Sequence, residues 1–294
     1  MNVVITGASA GIGRALAVIF ARNGHEVLAV ARREERLQAL IQEMAEEQAA
    51  PVHCLGLDLT CPDATRTLFT EAVRIFGKVH GLINVAGMGP YQKFSELSYG
   101  HVRQTLALNI QSLTELCYLF MPHMLSHGEP SHVVNVSSVG GYAPLPRFTV
   151  YSGSKHYVRI FTNLLYHEYR RTNIQVSGLY PGGTLTEFPR LAGQNIKEFA
   201  RKTMLTPEQV AEKAYPAILK GQRVIIPGVS NQLAAFLGKV LPFPWSIRLM
   251  EFIYNLAMEP MAPEYPPATT SEGIMGPIID NGGKTTDTRE DSEP

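Results

Sequence analysis

Three side chains in this sequence have the types and the spacing for proton transfer. Ser138 carries a hydroxyl, Tyr151 lies thirteen positions on with a phenol, and Lys155 follows four later with an amine. Residues 150–169 repeat their apolar positions at helical period, so Tyr151 and Lys155 project from one face. A free tyrosine titrates near about 10, too high to trade protons readily near neutrality. A neighbouring ammonium stabilises the phenolate and lowers that value, moving the phenol toward the range in which general acid–base catalysis works. Ser138 follows the apolar run 133–136 and can hydrogen-bond a carbonyl oxygen as negative charge develops on it. By itself such a set is commonly a core-edge aromatic at Tyr151 and a strand-end hydroxyl at Ser138. A second element at the N-terminus changes that reading.

Residues 1–6 (MNVVIT) are a short apolar, β-branched run that reads as a buried strand. Gly7 follows directly, and beyond it Ile12, Leu16, Ile19 and Phe20 fall on one helical face. Strand, glycine turn and helix form the context in which a glycine-rich run becomes a phosphate site. Gly7 permits the turn, and Gly11 and Gly13 leave no side chain between backbone and a pyrophosphate. The helix N-terminus then offers free N–H groups to the anion. The spacing is G-x-x-x-G-x-G, distinct from the commoner G-x-G-x-x-G. A cationic nicotinamide ring held there would also lower the pKa of Tyr151.

With the motifs that follow, residues 1 to about 227 resemble the short-chain dehydrogenase/reductase family. TGASAGIG matches the family's cofactor loop, which implies that Gly7, Ser9, Ala10, Gly11, Ile12 and Gly13 line the cofactor. Asp58 in LGLDLT, with Leu59 beside it, matches the acid that contacts the adenine ring. Asn84-Val85-Ala86-Gly87 matches the N-N-A-G element, with Val in place of the second Asn. Asn109, Ser138, Tyr151 and Lys155 match the catalytic tetrad. There the resemblance gives Asn109 a water that links Lys155 to solvent, and gives Lys155 the nicotinamide ribose. Residues 180–186 (YPGGTLT) match the loop whose Pro181, Gly182, Thr184 and Thr186 hold the nicotinamide carboxamide.

The cofactor is expected to be NADP(H). After the strand at 26–30, the slot where an NAD enzyme places an acid for the ribose 2′-OH holds Ala31, and Arg32 follows. A guanidinium pairs bidentately with a 2′-phosphate that an acid would repel. Arg33, at the start of the next helix, either adds charge to this site or is solvent-exposed, and the second reading is preferred.

Other spellings are set aside. Ser152-Gly153-Ser154-Lys155 is an S-x-x-K without a following S-D-N or K-T-G, and no G-x-S-x-G elbow occurs. Gly283-Lys284-Thr285 lacks the earlier glycine of a P-loop. His123 and His127 are read as a helix-end surface pair, and no metal site is expected. The sequon at Asn135 falls in a predicted buried strand.

At 294 residues and 45% hydrophobic content, the chain can bury a full core. Lys plus Arg equals Asp plus Glu at 26 each, which gives no electrostatic footprint for nucleic acid. Cys54, Cys61 and Cys117 have neither metal spacing nor even pairing and suggest reduced thiols, hence a cytoplasmic enzyme. The first strand starts at residue 2, which leaves no room for a signal peptide, and no run of 18 apolar residues predicts a span.

The pattern alternates strands near 2–6, 26–30, 52–57, 81–84, 132–138, 174–180 and 223–226 with helices near 11–23, 34–48, 63–76, 99–126, 149–172 and 206–220. That predicts an α/β, Rossmann-type doubly wound seven-stranded parallel sheet. It would form a single domain over 1–227, with an apolar helical extension at 228–262 and a flexible tail at 263–294. Residues 187–205 lack periodicity and follow the nicotinamide loop, so they are the candidate substrate lid.

Within 230–258, Phe236, Leu237, Leu241, Phe243, Trp245, Leu249, Phe252, Ile253 and Tyr254 make an apolar density too high to leave exposed on a monomer. The segment is read as a helical pair that covers the substrate pocket or joins subunits of a homo-oligomer, dimer or tetramer. On that reading Trp245 is shielded from water. Peripheral contact with lipid is the alternative.

Function follows as an oxidoreductase acting on CH–OH groups, moving a hydride between NADPH and a ketone or secondary alcohol. An apolar substrate such as a keto-lipid or 3-oxoacyl compound is expected, placing the enzyme in lipid metabolism. A subgroup of keto-lipid and 3-oxoacyl reductases is loosely similar in having such a C-terminal extension. The alternatives are a sugar, polyol or steroid substrate, or a nucleotide-sensing protein without chemistry. Retention of Ser138, Tyr151 and Lys155 argues against the last.

Overall fold

The computed structural model describes residues 1–259, so the expected tail at 263–294 and the end of the 228–262 extension lie outside the described residues. The strands are β1 (Asn2–Thr6), β2 (Glu26–Ala31), β3 (Val52–Gly56), β4 (Gly81–Asn84), β5 (Ser131–Val136), β6 (Ile174–Leu179) and β7 (Val224–Ile225). They pair in parallel as one sheet in the order β3-β2-β1-β4-β5-β6-β7. The order reverses between β1 and β4, and ligands of such sheets bind in the crevice beyond the strands' carboxyl ends at that point. The doubly wound, seven-stranded, single-domain fold expected from the alternation is the one formed.

The helices are α1 (Gly11–Arg22), α2 (Glu34–Glu46), α3 (Ala64–Phe76), α4 (Tyr99–Leu106), α5 (Leu113–His127), α6 (Thr149–Tyr169), α7 (Phe188–Leu191), α8 (Glu198–Arg201), α9 (Pro207–Leu219), α10 (Val229–Val240) and α11 (Phe243–Ala257). Period-2 alternation in the strands feeds two cores. Val3, Ile5, Val27 and Ala29 pack with Leu16, Leu40 and Ile218 under α1, α2 and α9. Val4, Leu28 and Val30 pack with Leu68, Leu116, Phe120 and Val158 under α3, α5 and α6. Each large apolar side chain removed from water contributes roughly 1.5–3 kcal/mol, which suits a sheet buried on both faces.

Two details depart from the sequence reading. The helix expected at 99–126 is two α-helices joined by a π-turn at Ala107–Ser112, a widening often found at functional sites. His123 and His127 are not a surface pair. Both are part-buried against the start of β4, where His123 Nε2 accepts the Val79 N–H and His127 Nε2 meets the Val79 carbonyl.

Candidate active site

A cavity of about 760 Å³ runs along the carboxyl ends of the strands, within the size range of small-molecule sites. Its floor is the turn from β1 to α1. Gly7 has φ +70, and a Cβ on Gly13 would collide with the Gly7 carbonyl oxygen. The backbone can close on itself there only without side chains. The Thr6 hydroxyl ties this turn to the next strand by accepting the N–H groups of Val85 and Ala86 at 3.0 and 3.1 Å. The result is a cradle of backbone N–H groups at the start of α1, which suits a pyrophosphate. Gly7, Ser9, Ala10, Gly11, Ile12 and Gly13 all line it.

At one end, Arg32, Asp58 and Leu59 line the cavity. Asp58 Oδ1 accepts from the Thr60 N–H and hydroxyl at 2.9 and 2.8 Å, while Oδ2 lies 3.7 Å from Arg32. Burial works to raise the Asp58 carboxyl, but the Thr60 hydrogen bonds and the Arg32 charge outweigh it and hold the group below its ordinary value. Arg33 is not left to solvent. Its guanidinium donates to Ser9 Oγ at 3.2 and 3.3 Å and to Glu187 at 2.7 Å. Arg36 donates to the other Glu187 oxygen at 2.8 Å. Hydrogen bonds from Arg33, then Arg36, keep the Glu187 carboxyl below its usual range. The sequence reading missed this clasp, because Glu187 and Arg33 are 154 positions apart.

Ser138, Tyr151 and Lys155 meet at the middle of the cavity, from the end of β5 and the first turns of α6. Gly89 makes the room: a Cβ there would fall about 2.6 Å from Tyr151 Cβ and 2.7 Å from its Cγ. Lys155 Nζ donates to the Val136 carbonyl at 2.9 Å and lies 5.7 Å from the Tyr151 ring centroid. Burial lowers Lys155 to about 8. Burial pushes Tyr151 up to about 12, with a hydrogen bond from Ser138 pulling the other way. The downward shift expected from the ammonium is therefore reversed in this structure, because burial penalises a phenolate more than its polar neighbours favour it.

Two of the sequence-predicted residues stand behind the cavity wall. Asn109, in the π-turn, clamps the Met88 backbone: Oδ1 accepts its N–H at 2.9 Å, and Nδ2 donates to its carbonyl at 2.8 Å and to Ser154 Oγ at 2.9 Å. Asn84 lies in the core and donates to Asn135 Oδ1 at 2.9 Å. Ala86 and Gly87 after it do line the cavity, as do Pro181, Gly182, Thr184 and Thr186.

The far end is apolar. Tyr91, Phe148 and Ala192 form a small core of their own, packed by Leu145, Tyr151, Phe188, Tyr254 and Met258. The segment expected as a lid holds α7 and α8, and it is stitched to α11. Lys197 N–H donates to the Ala257 carbonyl at 2.9 Å, and Lys197 Nζ to the Leu256 carbonyl at 3.0 Å. The expectation that 230–258 hides its apolar residues holds on one face only. Ala235, Ser246 and Met250 are buried and Tyr254 lines the cavity, whereas Phe236, Phe243, Trp245 and Phe252 are exposed. Trp245 is not shielded.

The short chain dehydrogenase family model matches residues 1–196. A sulfoacetaldehyde reductase of Chromohalobacter salexigens is 32% identical over 215 residues, 72% of this chain and 84% of that one. A short-chain dehydrogenase from Sphingobium yanoikuyae, solved with NADPH, superposes with a TM-score of 0.72 at 27% identity, covering 90% of this chain and 99% of the other. One from Burkholderia phymatum, solved with NAD, gives 0.74 at 26% identity over 80% and 92%. Among the described residues no cluster suits a metal ion, and no helix is long and apolar enough to cross a membrane.

Proposed function

The chain belongs to the short-chain dehydrogenase family, and from that premise we propose that it is an NADP(H)-dependent oxidoreductase that interconverts an apolar ketone and its secondary alcohol. The observation that carries the reading is a single cavity that joins the glycine turn, Arg32 and Arg33, the Ser138–Tyr151–Lys155 group and an apolar far end. The nicotinamide cofactor, when bound, supplies or accepts the hydride.

The chain's own residues do the rest. Tyr151, which burial pushes up to about 12 and which therefore carries its proton at neutral pH, is the donor to the carbonyl oxygen in reduction. Ser138 Oγ holds that oxygen in place and lowers the cost of the charge that develops on it. Lys155 still carries most of its proton at neutral pH with a value of about 8, and its charge stabilises the phenolate left after transfer. Asn109 fixes the Met88 backbone next to Lys155. Arg32 and Arg33, with Ser9, favour a 2′-phosphate; both arginines already have carboxylate partners, so the preference rests on exchanging one anion for another.

Tyr118, Ile160 and Leu164 leave an exposed apolar face on α5 and α6, which supports a homo-oligomer formed through those helices. A panel of long-chain ketones, steroids and sugars, each with NADPH and NADH, tests the functional reading. Turnover of long-chain ketones with NADPH is expected, and preference for NADH or for sugars overturns it.

A further inference from the structure

The apolar lining of the cavity does not stop at its mouth. Leu191 and Ile253 line the cavity and are also 67% and 41% exposed. Phe199, beside the cavity residue Ala200, is 53% exposed, and Phe252, beside Ile253, is 67% exposed. The lid and α11 carry these residues as one piece, since backbone bonds join Lys197 to Ala257 and Glu259 to Asn195. Along α10, Val229, Leu233, Phe236 and Val240 all face outward at the i, i+4, i+7, i+11 spacing of a single stripe. Between the two helices only Leu241 and Pro242 intervene, and the tip so formed presents Phe243 and Trp245, the latter 66% exposed.

Charge separates this collar from the rest of the chain. Residues 187–205 and 229–259 hold six cations (Arg190, Lys197, Arg201, Lys202, Lys239 and Arg248) against four carboxylates, Glu187, Glu198, Glu251 and Glu259, in a chain whose totals are 26 and 26, and Glu187 is taken up by Arg33 and Arg36 outside the collar. Glu198 is already paired with Lys202 at 3.0 Å. Among the described residues neither Lys239 nor Arg248 has a carboxylate partner within ion-pair distance. Exposed bulky apolars set among unpaired cations match the interface of an anionic bilayer, where aromatic rings sit at headgroup depth and each cation adds attraction. A two-fold contact with a second copy would set this cationic face against itself.

Resting on the apolar-ketone reading above, we infer that α10, α11 and the lid form a docking collar that seats the mouth of the cleft on an anionic membrane surface, so that a long-chain ketone dissolved in the bilayer enters the cavity from lipid. The helices lie on the surface and do not span it, which agrees with their length. The collar then explains why the face that covers the substrate end is apolar on both sides: one side meets the substrate and the other the membrane.

The test uses the full chain with NADPH and vesicles of phosphatidylcholine, alone or mixed with phosphatidylserine. Trp245, the single tryptophan, should emit as a hydrated indole in buffer. With the mixed vesicles it should shift to the blue and be quenched by bromine-labelled lipid. Lys239→Glu with Arg248→Glu should weaken binding to the mixed vesicles by roughly tenfold or more at low salt, and Phe236→Ser with Phe243→Ser should do the same. Neither pair should alter turnover of a short water-soluble ketone. An indole already shielded in buffer, in a dimer that Phe236→Ser dissociates, overturns the inference in favour of a second copy; so does a Trp245 spectrum indifferent to lipid. Failure of the unsubstituted chain to dock on the mixed vesicles, with soluble-ketone turnover intact, removes the collar alone. Docking without turnover of any ketone removes the enzymatic reading.

Discussion

The glycine-turn end and the apolar end of the cleft are built to different rules. Around the glycine turn, the floor stands on strands covered from both sides, and Val4, Ile5, Leu28 and Ala29 are wholly buried. Around the apolar end, the walls are the lid and two helices that each bury one face and present apolar residues on the other. The first region holds reacting groups in fixed positions, which proton transfer requires because small displacements cost rate steeply. The second needs only a greasy surface of the right size, so its outer face is free to serve another purpose. On the proposed function, chemistry is placed where the fold is most constrained, and substrate selection where it is least.

Changes at the constrained end should be the most damaging. Tyr151→Phe keeps the ring and removes the hydroxyl, so turnover should fall by about 10²–10⁴-fold while NADPH still binds in a fluorescence titration. Near-normal turnover would mean that another acid works here. The stability contrast comes next. Leu28→Ala should cost about 2–5 kcal/mol in denaturant unfolding, and Phe236→Ser should stay within about 0.5 kcal/mol. Equal costs would erase the difference between the two regions.

Two further predictions concern the cofactor end. Arg33→Ala should raise the Kd for NADPH about tenfold or more, the worth of a charge-assisted pair, with a much smaller effect on NADH; Arg32→Ala should act in the same direction. Equal losses for both cofactors would remove the 2′-phosphate from the site. The pH dependence follows from Lys155. Its ammonium is held down to about 8 by burial, so its charge is present below that pH and lost as the pH rises through it. Tyr151, raised to about 12, keeps its proton across that window. NADPH binding should therefore weaken above about pH 8, and the limb should be missing in Lys155→Met.

The smallest effect is expected at the clasp. Glu187→Gln leaves Arg33 and Arg36 without their carboxylate, so NADPH should bind severalfold more tightly while NADH is unchanged. A loss of affinity for both would show instead that the clasp matters by holding the lid over the groove.

Local spacing was enough for much of this. The strand–turn–helix of residues 1–22, the period-2 strands and the thirteen- and four-residue intervals around Tyr151 each depend on neighbours in the chain, so the parallel sheet and the gathering of Ser138, Tyr151 and Lys155 on one cavity were legible in the sequence. Gly89 could have been noticed only with Tyr151 already placed against it. The π-turn that carries Asn109 has no composition signal that separates it from an α-helix.

Sequence by itself determined which residues are buried in strands and which chemistry they carry, because hydrophobic period and side-chain type are written in the chain. Tertiary structure alone decided three things. It joined Glu187 to Arg33 and Arg36 across the cleft. It reversed the direction of the Tyr151 shift, since the penalty for a buried phenolate depends on how completely packing excludes water. It also turned Phe236, Phe243 and Trp245 outward, because a helix hydrophobic on both faces can bury only the one that its neighbours reach.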